Sequence, residues 1–336
     1  MSDFYICRRK VWLLLSLLAS LIVLTSCEQS TPQLKTESLN LGLAMQPASA
    51  LMMVALDQEL FKAQGLDIVV KEYPSGKRAL REGLFTGGVD VASTADVPLT
   101  FAAFERDDFR IIASLFSASN VNRIVSRRDH GITKATDLKN KRMATQKASA
   151  VHFFMHLFLL ENGISGKDVL VSFMKAEQLP KALANGEVDA FSMREPYVSE
   201  ARSLLGDQAM VMSAPGAYEQ MELLVATTTL LQERPVVAKR MLKALLQAEA
   251  FIHEQLDKAA EIVAKRLQVD ATKIKTVLPQ YTLRVSMEQS LLLLLEDQAR
   301  WAIENDLLKG RVPDYLKLIH FDELLQLAPE RVTIIR

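Results

Sequence analysis

Leu39-Asn40-Leu41-Gly42-Leu43-Ala44 is a short apolar run, and the residues after it decide the fold. Leu51, Val54, Ala55 and Phe61 recur at helical spacing, Gly65 stands where a helix C-cap belongs, and Leu66-Asp67-Ile68-Val69-Val70 is a second apolar run. A strand, a helix and a strand within residues 39–70 form a βα unit. Further strands are predicted at 89–92, 110–113, 122–125, 142–145, 169–173, 188–191 and 223–226, too many for one small sheet. The class is α/β, built on mostly parallel sheets. Beyond about residue 230 the pattern turns almost wholly helical, over 236–253, 256–267 and 287–305. Leu291 to Leu295, flanked by Glu288, Glu296 and Asp297, is too short to span a bilayer and reads as core. Trp301 on the same helix reads as packing rather than as a ligand platform.

A chain of 336 residues has room for two domains or one large one. Apolar residues at 49% and charged residues at 24% exclude disorder and low-complexity architecture for the whole chain. Forty Lys and Arg balance forty Asp and Glu, so no basic footprint points to nucleic acid as a partner. The only cysteines, Cys7 and Cys27, lie near the N-terminus, which leaves the body without a disulfide framework or thiolate ligands. His152 and His156 stand four apart on a predicted helix, but no third ligand follows in a recognisable pattern, so no metal is expected. No GxSxG elbow, Walker loop or GxGxxG occurs, and the body has no nucleophilic cysteine, so neither enzyme nor cofactor is expected.

Arg8, Arg9 and Lys10 precede an apolar stretch from Val11 to Leu24 that is shorter than a spanning helix needs, as in an export signal. It ends in Leu24-Thr25-Ser26-Cys27, which resembles the lipobox of bacterial lipoproteins. That resemblance implies removal of residues 1–26 and lipidation of Cys27; an ordinary signal peptide with an incidental cysteine is the alternative. Cleavage would leave 37 basic against 39 acidic residues, so charge alone would not hold the body at a membrane. Residues 27–38 read as the lipidated cysteine and a flexible tether.

Three segments carry a wider likeness. They are Gly83 to Pro98, with Gly87-Gly88 before a strand and Ser93-Thr94-Ala95-Asp96 after it; Asp137 to His152; and Leu183-Ala184-Asn185-Gly186-Glu187-Val188-Asp189-Ala190-Phe191-Ser192-Met193-Arg194-Glu195-Pro196-Tyr197. Together they resemble the nitrate/sulfonate/taurine branch of ABC-transporter solute-binding proteins, over residues 39 to 320. The resemblance implies a type II periplasmic binding-protein fold: two doubly wound α/β lobes joined by two crossing segments, with a helical C-terminal region. One lobe would be 39–117 plus 222–336 and the other 118–221. It implies an exported, lipid-anchored receptor facing the periplasm or cell exterior, partnered by a permease and its ATPase, with a small-molecule ligand held between the lobes. An alkylsulfonate or taurine is the first expectation. A neutral thiamine-precursor pyrimidine or other heterocycle is the second, and an enzyme or sensor on the same fold is the rival from another class.

Ligands of open α/β sheets bind beyond the carboxyl ends of strands. Gln46 and Ser49 follow the first strand, and Ser49 suits either a plain N-cap or a helix terminus that receives an anionic oxygen. Thr94 and Asp96 follow another strand, with Asp96 either an N-cap or a carboxylate for a ligand amine or ring N–H. Ser149 and His152 open a helix in the other lobe. Ala148 beside them stands where the family usually has Gly, in a loop that suits positive φ. Arg194 replaces what is often an aromatic residue in the family. Its guanidinium suits sulfonate oxygens, or it pairs with Glu195; Glu195 is itself a candidate ligand contact, and with Asp96 and Tyr218 it would favour the neutral pyrimidine. Tyr218, near the return crossing, stacks on ligand or serves as a hinge.

Overall fold

The computed structural model describes residues 35–335, and the export signal and Cys27 lie outside them. The strands are β1 (Glu37–Ala44), β2 (Leu66–Tyr73), β3 (Val91–Ala95), β4 (Phe109–Ala118), β5 (Arg123–Arg127), β6 (Arg142–Thr145), β7 (Leu170–Phe173), β8 (Ala190–Met193), β9 (Ala209–Met212), β10 (Gln220–Thr227) and β11 (Thr282–Ser286). They form a six-stranded sheet in the order β11-β4-β10-β3-β1-β2 and a five-stranded sheet in the order β7-β6-β8-β5-β9. β1 lies parallel between β2 and β3, and β6 lies parallel between β7 and β8, while β10 and β5 run antiparallel to their neighbours. β1 starts at Glu37, inside the stretch read as tether, where Arg234 pairs with the Glu37 carboxylate at 3.0 Å.

The helices that position the site are α1 (Ala50–Asp57), α2 (Asp96–Ala102), α3 (Ala150–Glu161), α4 (Tyr197–Leu205), α5 (Val236–Glu254), α6 (Leu256–Leu267) and α7 (Gln289–Glu304). Gly65 has φ of 71°, the left-handed conformation that a helix end before β2 favours in glycine. The chain passes from the first sheet to the second at 119–122 and returns at 213–219. The two passages are tied where Asn122 Nδ2 donates to Gln220 Oε1 at 3.2 Å in a buried position.

Two edge strands were not legible in the sequence. β9 has only four residues and pairs with β5 alone; β11 pairs only with β4 and lies amid helices. The alternation of exposed Thr282 and Arg284 with buried Leu283 and Val285 is the signal for β11. The leucine run is only partly core, since Leu291 and Leu295 are fully buried but Leu293 is 53% exposed, as one face of an amphipathic helix requires. Trp301 is buried in a cluster that joins Val97 and Phe101 of α2 to Phe153, Phe154 and Phe158 of α3.

Candidate functional site

The polar residues collect at the carboxyl ends of strands from both sheets. Beyond β1, Pro47–Ser49 form a turn of 3-10 helix into α1, with Ser49 as the helix N-cap. Its side chain makes no capping bond, and its buried Oγ has no hydrogen-bond partner among the described residues. Gln46 reaches the other way, donating from Nε2 to Glu222 Oε2 at 3.0 Å. Glu222 sits on β10 opposite Ala95 and is wholly buried, with the Ser93 hydroxyl of β3 beside it as a hydrogen-bonding group. Burial pushes its carboxyl up to about 7, against the downward pull of Ser93, Arg194 and Gln46. Gly76 closes in from the β2 side, where a Cβ would stand 2.7 Å from Thr94 Cα. Thr94 is fully buried behind it, its hydroxyl bonded to Ala95 O at 3.3 Å.

From the second sheet comes Arg194, just past β8. It is half-buried, and among the described residues its guanidinium makes neither a hydrogen bond nor an ion pair. Burial lowers its pKa, while Glu222, Tyr281, Tyr197 and Tyr218 act to hold its charge. The pairing with Glu195 does not form. Glu195 is exposed and its carboxylate accepts the Ser199 N–H at 3.0 Å, in the first turn of α4. The Glu195–Pro196 peptide is cis.

Ser149 is the N-cap of α3, but its Oγ donates to Gln146 O at 2.6 Å, so the helix N–H groups remain free of it. Ala148 has φ of 52°, the conformation expected of the family's glycine. An L side chain there costs about 1 kcal/mol. Ala148→Gly is therefore expected to leave stability unchanged or raise it by about 0.5 kcal/mol despite the added chain entropy; Ala148→Val should lower it, as urea unfolding would show. His152 is buried edge-on against Phe173 at 4.9 Å and Trp301 at 5.0 Å, with Nδ1 unpartnered. Burial drives its pKa down to about 4, so the ring is neutral near pH 7. Lys77, after β2, donates from Nζ to Lys147 O at 3.1 Å and spans from one sheet's loops to the other's.

Asp96 is the first residue of α2 rather than its N-cap. Its carboxylate accepts from Val97 N at 2.6 Å, from Met221 N at 2.8 Å and from the Tyr218 hydroxyl at 2.5 Å. Tyr218 is buried, its ring edge-on to Phe153 at 5.2 Å. These two residues thus anchor the return passage to α2. Burial pushes the Asp96 carboxyl up to about 6. Carboxyls raised in the folded state keep protons that the unfolded chain has already lost. These two carboxyls therefore contribute a loss of stability as pH rises from about 4 through 7, which the buried His152, with its pKa lowered, opposes over the same range. Glu222→Gln should remove its share of that loss, about half of the carboxyl contribution, in unfolding measured across pH.

Sequence reading missed Glu222, Tyr281 and Arg123. An acid inside the apolar stretch Met221 to Ala226 was a usable signal for Glu222. Tyr281, pushed by burial to about 12, lies within electrostatic reach of both Arg194 and Arg123, a meeting that only the fold reveals. A separate open groove of about 570 Å³ lies between α3 and α7, lined by Phe153, His156, Tyr218, Leu293, Arg300 and Trp301 among others. It contains neither Gln46 nor Arg194. No set of three or more His, Cys, Asp or Glu among the described residues could hold a metal ion.

Two helix-covered mixed sheets linked by a double passage define a mixed α/β protein of the type II periplasmic binding-protein fold. Residues 46–259 match the family described as NMT1/THI5 like, and the chain belongs to that family. A relative from Bacillus subtilis (strain 168), provisionally named an aliphatic sulfonates-binding protein, is 25% identical over 227 residues, 66% of this chain and 66% of its own length. The crystal structure of the periplasmic aliphatic sulphonate binding protein SsuA from Escherichia coli is similar with a TM-score of 0.71 and 22% identity, covering 85% of this chain and 98% of that one. The alkanesulfonate-binding protein SsuA from Xanthomonas axonopodis pv. citri, bound to MOPS, gives 0.72 and 20%, covering 85% and 99%.

Proposed function

We propose that the protein is the substrate-binding lipoprotein of an ABC importer. In this reading residues 1–26 direct export, Cys27 carries the lipid, and a small organic anion such as an alkylsulfonate or taurine is captured between two lobes, 39–117 plus 222–336 and 118–221. The permease and its ATPase receive it from the closed form. The observation that carries the anion is Arg194: a half-buried guanidinium just past β8 that makes no hydrogen bond or ion pair among the described residues and lies within electrostatic reach of Glu222 on β10. Free N–H groups at the start of α3 add a second attraction for anionic oxygens. Names of the relatives support the sulfonate class. The features that would favour a neutral pyrimidine are engaged elsewhere, Asp96 with Tyr218 and Met221, and Glu195 with Ser199.

Small-angle scattering tests capture by closure. Protein stripped of carried ligand by unfolding and refolding should become more compact when propane-1-sulfonate is added, and unchanged dimensions with the ligand bound would contradict the reading. Replacing Cys27 by Ser should move the protein from the membrane to the soluble fraction.

A further inference from the structure

β7 ends the five-stranded sheet and bonds to β6 alone. Leu170 and Met174 donate their N–H groups to Lys141 O at 2.9 Å and Thr145 O at 3.1 Å, so the alternation of a parallel ladder turns the N–H and C=O groups of Val171 and Phe173 away from β6. Those outward groups take no hydrogen bond among the described residues. The side chains are as open as the backbone: Leu170 is 66% exposed, Val171 and Phe173 are exposed as well, and the strand carries no charge. Other free edges are blunted, β2 by Asp67, Lys71 and Glu72 and β11 by Arg284, while β9 exposes Val211 alone.

We propose that β7 pairs antiparallel with β7 of a second copy of this chain, about a twofold axis at Ser172. In this register Val171 of each chain faces Phe173 of the other, each pair exchanging both of its N–H···O bonds, and Leu170 faces Met174. The flanks are complementary in charge. Lys167, in the turn before the strand, meets Glu177, in the turn after it, at both ends of the pair. Both are exposed, and neither makes an ion pair among the described residues. Moving the axis to Val171 would set Lys167 against Lys175, and moving it to Phe173 would set Lys175 against Val171, so charge and apolar matching select Ser172.

A four-residue strand on each side buries less than the roughly 1,200 Å² of a durable interface, so the pair is weak and covalent trapping is the way to read it. The two Ser172 residues meet in a non-hydrogen-bonded pair with Cα atoms about 4.5 Å apart, within disulfide reach. The two Leu170 residues, although more exposed, lie about 13 Å apart along the strands. In the full chain carrying Cys7→Ser and Cys27→Ser, which has no other thiol, Ser172→Cys should form a disulfide-linked dimer under mild oxidation at least about fivefold faster than Leu170→Cys. Adding Lys167→Glu should slow that trapping about threefold or more, and adding Glu177→Lys to it should restore the rate. Both cysteine variants leave the backbone bonds to β6 intact, and an unchanged urea midpoint shows that folded chains are compared. Trapping of Leu170→Cys as fast as Ser172→Cys would mean random collision or another register and would overturn the inference. So would the absence of any linked dimer, or a rate indifferent to Lys167→Glu.

Discussion

Arg194→Ala is expected to weaken sulfonate binding by between about tenfold and a hundredfold, the range for losing a charge-assisted, forked contact in a partly desolvated site. The folded state should tolerate the change, because the guanidinium makes no hydrogen bond or ion pair among the described residues that truncation would orphan. Loss of affinity with an unchanged unfolding midpoint therefore separates a ligand contact from a structural role. Arg194→Lys should restore only part of the affinity, since a lysine keeps the charge but not the planar fork. Unchanged affinity in Arg194→Ala, read by calorimetric titration with propane-1-sulfonate, would remove Arg194 from the site.

Trp301→Ala should have the largest effect on stability, about 3–5 kcal/mol. Trp301 is 4% exposed and packs on Phe101 at 6.2 Å, Phe153 at 5.1 Å and His152 at 5.0 Å. Its removal opens a cavity between α2, α3 and α7, the place where helices following strands of both sheets meet. The loss would be read as a lower urea midpoint, with Trp301→Phe costing less because much of the ring volume remains. A change below about 1 kcal/mol would mean that this cluster collapses around the gap and does not brace the two sheets.

Local signals made the βα alternation legible. Leu39 to Val70 announces itself through apolar runs at two different periods, and Gly65 marks the turn between them. Ala148 was legible in a different way: the likeness put a glycine's conformation at this position, and the backbone keeps that positive φ with alanine in place. The edge strands were harder, because β9 and β11 each bond to one neighbour and carry little patterning of their own. The chemistry of the strand ends was legible only in part. Sequence placed Gln46, Ser49 and Arg194 at strand ends, but not that Gln46 would meet Glu222 across 176 positions. It likewise offered Asp96 and Tyr218 to a ligand, where the fold bonds them to each other across 122 positions. Such pairings depend on β10 returning antiparallel beside β3, a register that no short stretch of sequence encodes.

The central claim is that the crevice between the two sheets takes up a small organic anion. Its most direct test is calorimetric titration of the refolded, ligand-stripped protein with taurine, propane-1-sulfonate, nitrate and a hydroxymethylpyrimidine. The account predicts that a sulfonate binds one per chain with a micromolar or tighter Kd, equivalent to about 8 kcal/mol or more, and that the pyrimidine gives no heat. Heat from the pyrimidine alone, with silence from every anion, would contradict it.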